Sequence, residues 1–292
     1  MKIWKAFSTG IKKINHHKRI WFLLYGIQFV LALILVLPLR SQWNAMIGHS
    51  LAGQEVLQGF GANVFIEFIT HYAQTVSSEM ILLFVIGLVY LTLTLFLNGG
   101  ILGSFSQKYG EYSANVFFKN CGHYFGRFVR LFLFSLLFIA GAFLALQGLE
   151  TPCGRIAKDS EPLRVIFWLA RHLILLFLVF FINMVFDYAK IMTVLEERRY
   201  MIKTGLRAWG FVLKHLWKTL GLYCLVATIG LAFFVLYTLA GKSIEVSTGL
   251  GVLLLFLWQQ LYALGRTWVR LLFLASQVTL YKGTSEPVLL GE

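Results

Sequence analysis

Six apolar runs follow one another along this chain, with polar and mostly basic segments between them. They cover roughly 20–39, 80–102, 128–149, 163–187, 219–240 and 250–281. A helix needs about 20 consecutive apolar residues to cross the hydrocarbon core of a bilayer, and every run meets that length. Runs four and six exceed it, so they tilt or continue as helix beyond the bilayer. The pattern predicts an all-α, polytopic membrane protein with six transmembrane helices, residues 1–292 forming one transmembrane domain. The first run follows a long basic segment, and Ser41-Gln42-Trp43 after it lacks a small-x-small cleavage site. It is expected to be a retained first helix rather than a signal sequence.

Charge orients the spans. The segment before run one carries Lys2, Lys5, Lys12, Lys13, Lys18 and Arg19, and the one between runs two and three carries Lys108, Lys119 and Arg127. The segment between runs four and five carries Lys190, Arg198, Arg199, Lys203, Arg207, Lys214 and Lys218. The alternate segments are poor, holding Arg40, then Arg155 with Lys158, then Lys242. The bias has the same sign at every crossing. The positive-inside rule therefore puts the N-terminus in the cytoplasm, and six spans return the C-terminus, with Lys282, to the same side.

Each basic segment leads into an odd-numbered run and is amphipathic. Trp4, Phe7, Ile11 and Ile14 share a helical face, with Lys5, Lys12, His16 and Arg19 on another. Lys119, His123, Arg127 and Arg130 run beside Phe117, Cys121, Tyr124 and Phe128. Lys203, Arg207, Lys214 and Lys218 run beside Leu206, Leu213, Leu216 and Leu220. A basic face opposite an apolar one is what lets a helix lie in the headgroup layer. The predicted unit is an interfacial helix followed by a hairpin of two spans, used three times. The plainest role for the basic faces is topological anchoring.

Composition agrees with this picture. Hydrophobic residues make up 58% of the chain and charged ones 13%, against about 25% in soluble domains. Mean hydropathy is +0.74. The net charge of +13 would suggest nucleic acid in a soluble protein, but beside so much apolar sequence it points to anionic headgroups at the cytoplasmic face. No nucleic-acid motif is present. Cys121, Cys153 and Cys224 fall on different sides or in a span, so no disulfide is expected.

The threefold pattern, with a close at Ala275-Ser276-Gln277-Val278-Thr279-Leu280-Tyr281-Lys282, resembles the six-helix membrane domain of glycerophosphodiester phosphodiesterases and related bacterial membrane families. The resemblance covers nearly the whole chain and rests on pattern, with no diagnostic motif. It implies a bacterial inner-membrane protein with a link to lipids. The phosphodiesterase domain of that family is absent, and no catalytic residue carries over.

Charges inside spans are the remaining chemistry. An Arg, Lys or Asp at a helix centre costs about 2.5–3.5 kcal/mol on insertion scales, so such groups face the bundle interior or a wet cavity. Run four carries Arg171, His172, Asn183 and Asp187, and run six carries Gln259, Gln260, Arg266 and Arg270. Arg266 and Arg270 are one helical turn apart and share a face. The two runs point the same way, so Arg171, Arg266 and Arg270 are expected to gather with Asn183 and Asp187 as an anion or lipid site. The guanidinium fork suits phosphate and carboxylate. The competing reading is that the arginines snorkel to the interface or pair with carboxylates such as Asp187 and Glu111.

Other patterns are weaker. Glu67 and His71, near His49 and Glu55, do not make a metal site, and no metal or cofactor is expected. No HExxH, phosphate-binding loop or nucleophile elbow occurs. Gly99 and Gly103 have the spacing of close helix packing. The expected function is a non-enzymatic membrane protein that binds or moves an anionic lipid or other amphiphile. The alternative is a structural or assembly subunit with a protein partner or a second copy of itself, and a lipid-phosphate enzyme ranks behind both.

Overall fold

The computed structural model describes residues 2–47, 73–106, 113–148, 161–244 and 248–289. All of its elements are helices: α1 (Ile3–His16), α2 (Lys18–Ile47), α3 (Ala73–Ser106), α4 (Ala114–Gly148), α5 (Glu161–Leu195), α6 (Met201–Lys214), α7 (Leu216–Lys242) and α8 (Gly249–Leu289). Among the described residues five helices are long and apolar enough to cross a membrane, namely α2, α3, α4, α5 and α7. The expected sixth span also forms one helix, α8. Its apolar run is cut by Gln259, Gln260, Arg266 and Arg270, which is why length and hydropathy alone do not single it out.

Two of the three amphipathic segments are separate helices. α1 ends at His17, whose N–H bonds both Lys13 and Ile14 carbonyls, and α6 ends at His215. The second segment departs from the expected unit, because residues 114–127 continue into the span as α4 without a break. The reason is in the side chains. Phe117, Cys121, Tyr124, Phe128, Leu131 and Ser135 form one unbroken buried stripe at spacings of three and four. One helix keeps that face inward along its length, so no change of direction is needed.

Contacts divide the chain into two units, Met1–Lys18 with Leu95–Glu292, and Arg19–Thr94. The smaller unit holds most of α2 and the first part of α3, and it is apolar and outward-facing, with Phe22, Val30, Leu37, Ile81 and Phe84 exposed. In the larger unit, α4 packs on α5 and α7 on α8. α1 lies on the last part of α8, α6 on the last part of α5, and the start of α4 on the end of α3. Each amphipathic segment thus covers the end of a long helix that runs toward it. Glycines permit the closest approach. A Cβ on Gly99 would sit 2.9 Å from the Asn120 carbonyl, and one on Gly100 would sit 2.6 Å from Cys121 Sγ. The Gly99–Gly103 spacing therefore serves packing of α3 on α4.

Apart from Leu146 in the last turn of α4, the buried hydrophobic residues of this unit sit at that covered end. They comprise Leu95–Phe105, Phe117–Leu131, Ile182–Val194, Met201–Val226 and Leu271–Tyr281, together with Ala6, Phe7 and Ile14 of α1.

Candidate functional site

The five residues expected to form an anion site do not all lie at one level, and Arg171 is the one that stands apart. Asp187 is partly buried on α5. Its carboxylate accepts from Lys190 Nζ at 3.0 Å and from Tyr223 Oη of α7 at 2.8 Å. Arg171 lies about 24 Å away along the same helix. There it is half-buried and donates from Nη1 to Gln147 Oε1 of α4 at 3.4 Å. Asn183 and Arg266 are exposed, and Arg270 is half-buried. The offset between α5 and α8 explains that separation. Tyr281 Oη donates to Glu196, which fixes the register of the two helix ends. Counting back from that contact, Arg270 and Arg266 fall about level with residues 185 and 181 of α5, at the height of Asn183 and Asp187 and far from Arg171. Sequence length leaves this offset open, because α5 and α8 are 35 and 41 residues long.

A polar cluster surrounds Asp187 at the packed end. The Tyr223 ring stands edge-on to Phe273 of α8, with centroids 4.3 Å apart. Gln277 of α8 lies beside the Tyr223 hydroxyl, yet neither of its polar atoms reaches a hydrogen-bond partner among the described residues. It is fully buried, as is Tyr188, whose hydroxyl is also unpartnered. One turn further, Glu196 accepts from Arg198 Nε at 2.6 Å and from Tyr281 Oη, with Arg207 Nη1 at 3.8 Å. The next residue, Glu197, has φ of 47°, a left-handed backbone that turns the chain from α5 into α6. Arg127 of α4 closes the group by donating to the Arg198 carbonyl at 3.3 Å and lying 5.4 Å over the Tyr124 ring.

Lysines cap the end of α3. Lys13 Nζ donates to the Phe105 carbonyl at 2.9 Å, and Lys282 Nζ to the Ser106 carbonyl. The last carbonyls of a helix lack intrahelical partners and carry the negative end of its dipole, so cations belong there. Burial, and next the charge on Lys282, pull the Lys13 ammonium down to about 8. His17, packed on Phe105, is held below the usual histidine range by burial first, then by His16 and Lys13.

The sequence marked Lys13, Lys190 and Lys282 only as topological charges and Gln277 and Tyr281 only as part of the closing segment, and it assigned no role to Tyr223 or Glu196. Two signals pointed to them. Asp187 is the one acidic residue within the six apolar runs, at the end of the fourth, and Glu196-Glu197 is an acidic pair within a strongly basic loop.

A second polar feature lies at the other end of α4 and α5. Phe143, Leu146 and Gln147 face Arg171, His172 and Leu175 across a half-open cleft of about 30 Å³. His172 Nδ1 bonds the Trp168 carbonyl at 2.7 Å, and the two rings lie 4.3 Å apart.

Cys121 and Cys224 are unpaired. Lys108, Glu111, Cys153, Arg155 and Lys158 lie outside the described residues, as do His49, Glu55, Glu67 and His71. Among the described residues no three His, Cys, Asp or Glu side chains cluster as metal ligands. No family model, curated protein or solved structure matches the chain.

Proposed function

We propose that this is a non-enzymatic, lipid-associated protein of a bacterial inner membrane, which seats its basic end on the anionic cytoplasmic leaflet and binds or moves an anionic lipid or similar amphiphile there. α8 serves as a sixth span, the spans pair as three hairpins, and both termini lie in the cytoplasm. The distance of Arg171 from Arg266 and Arg270 takes one arginine out of the expected site. The weight passes to α6, whose three faces carry the proposal.

One face of α6, formed by Met201, Thr204, Gly205, Ala208 and Val212, is buried against the protein. A second face leaves Ile202, Leu206 and Leu213 exposed, and Trp217, just past the break, extends the stripe at 83% exposure. The third holds Lys203, Arg207, Lys214 and Lys218. Apolar and basic stripes side by side, with a tryptophan at the edge, suit a helix whose apolar face sinks about 5–10 Å into the headgroup and acyl boundary. Each lysine near an anionic surface contributes about 1 kcal/mol.

The test replaces Lys203, Lys214 and Lys218 with glutamine and leaves Arg207 on Glu196. Wild type and variant are reconstituted with mixed phosphatidylglycerol and phosphatidylcholine, released into mild detergent and weighed by native mass spectrometry. About 3 kcal/mol of lost attraction predicts a shift of roughly 100-fold against phosphatidylglycerol. An unchanged lipid ratio, with a second copy or another protein bound to wild type through this face, would favour the assembly-subunit reading instead.

A further inference from the structure

The basic end does not account for Arg171. It lies far along α5, away from the polar cluster, in a helix whose neighbouring residues are apolar and exposed. Its depth can be read from α4. Gln147, which accepts from Arg171, is in the last turn of α4, one residue before Gly148. The basic residue at the other end of the apolar part of α4 is Arg130, about 26 Å away along the helix. On α5 the interval from Asp187 to Arg171 is about 24 Å. Both fall just short of a hydrocarbon core of about 30 Å. Between the two belts α5 exposes Leu173, Ile174, Leu176, Phe177 and Phe180. Arg171 therefore stands at the inner edge of the second headgroup layer, where a long side chain reaches the level of lipid phosphates.

The surroundings are built for one polar group at an apolar border. Phe143, Leu146 and Leu175 give the cleft apolar walls, while Arg171, His172 and Gln147 supply its polar lining. About 30 Å³ holds a single oxygen-sized group, so the remainder of any ligand must lie in the open mouth. Gln147 steadies the guanidinium. His172 is tied through Nδ1 to the Trp168 carbonyl, which turns Nε2 away from the helix. Trp168 is 57% exposed beside it, as tryptophans are at headgroup level.

We infer that the cleft between the last turn of α4 and α5 seats one phosphate oxygen of a membrane lipid from the leaflet opposite the basic end, with Arg171 as the binding residue and Gln147 and His172 as positioning residues. The guanidinium fork takes the phosphodiester, and the walls take the first methylenes of the lipid. The inference rests on the reading that these helices span a bilayer, but not on the role given to α6.

The experiment uses the full-length protein in nanodiscs of phosphatidylglycerol and phosphatidylcholine, extracted into mild detergent and analysed by native mass spectrometry with stepwise activation. Wild type is expected to keep one tightly held lipid that R171Q loses by at least tenfold in occupancy. R171K keeps the charge but not the fork, and should lose most of that lipid as well. A lysine that retains the lipid as well as arginine does would mean general attraction to the leaflet, and would overturn a built site. Unchanged occupancy in R171Q would overturn it outright. Removal of the lipid by millimolar inorganic phosphate would overturn the lipid assignment. If R171Q melts much earlier than wild type, L175W fills the cleft and leaves the guanidinium in place. It should displace the same lipid, and retention counts against the site. The glutamine variant of Lys203, Lys214 and Lys218 should keep this lipid, so failure here and failure of the α6 reading are separable.

Discussion

Along α5 the side chains change company near residue 181. From Leu163 to Phe180 no side chain is buried, and most are large, apolar and exposed. From Ile182 to Val194 most side chains are buried, and the polar ones apart from exposed Asn183 are tied to neighbours or enclosed. α4 makes the same change in reverse, with Phe117 to Ser135 carrying the buried stripe and Leu136, Leu137, Phe143 and Leu144 exposed. α8 exposes Leu250 to Leu261 and buries Leu271 to Tyr281. The difference follows from the solvent. A span in lipid needs no partner for its apolar surface, whereas a helix end in the headgroup layer or in water does. Within the larger unit the basic end is thus a small helical core, and α4, α5 and α8 carry apolar, exposed stretches beyond it.

Paired substitutions break or sharpen this contrast, each comparing one site in the core with one in the exposed stretches. The largest expected difference is between Phe128→Ala and Leu137→Ala on α4. The first empties a fully buried site and should cost about 3–5 kcal/mol in denaturant unfolding from mixed micelles. The second changes only an exposed side chain and should stay within about 0.5 kcal/mol.

Next comes Tyr223→Phe, which removes a hydrogen bond to the Asp187 carboxylate and should cost about 1.5–3 kcal/mol in the same assay. Thr228→Ser on the exposed side of α7 should change nothing measurable. Gly99→Ala forces a Cβ against the Asn120 carbonyl and should cost about 1–3 kcal/mol. Gly141→Ala, with nothing within 4 Å, should be neutral or slightly stabilising.

The smallest effect concerns pH. His17 and His215 end α1 and α6, and burial is the first cause holding each below its ordinary value of 6.5. Both are neutral in folded and unfolded chains well above pH 6.5. As pH falls through 6.5 the unfolded chain binds protons first, so stability is lost on the acid side. The melting temperature should fall between pH 7.5 and 5.5, and the double change of both residues to glutamine should flatten that slope. Lys13 acts at the other extreme: its value of about 8 means stability should rise between about pH 8 and 10.5.

Much of this architecture was legible in the chain, because hydropathy acts over 20-residue windows and charge bias over whole loops. Runs of Leu, Phe and Ile marked the long helices to within a few residues at most ends. The amphipathic spacing of Trp4, Phe7, Ile11 and Ile14 marked α1, although the buried face is Ala6, Phe7, Gly10 and Ile14 and Trp4 is exposed. What stayed hidden depends on registers between helices that are distant in sequence. Arg171, Arg266 and Arg270 looked convergent because α5 and α8 run the same way, yet the Tyr281–Glu196 contact sets Arg171 well away from the other two. Asp187 was visible as an interior charge, but Tyr223 and Gln277 carry no signal of their own in an apolar context. The continuity of α4 was masked by its basic stripe, which suggests a separate interfacial helix although the buried face runs on unbroken.

Depth is the most direct test of a core in the interface with exposed stretches in lipid. Single nitroxide labels at Leu206 and Leu213 on α6, and at Leu173 and Phe177 on α5, can be compared by power saturation with oxygen and a water-soluble nickel chelate. Cys121, Cys153 and Cys224 are first replaced by alanine. The labels on α5 should be rich in oxygen and closed to nickel, as deep lipid-facing sites are. Those on α6 should sit about 5–10 Å below the phosphates. Nickel access at Leu173 and Phe177, or full water exposure at Leu206 and Leu213, would contradict this account.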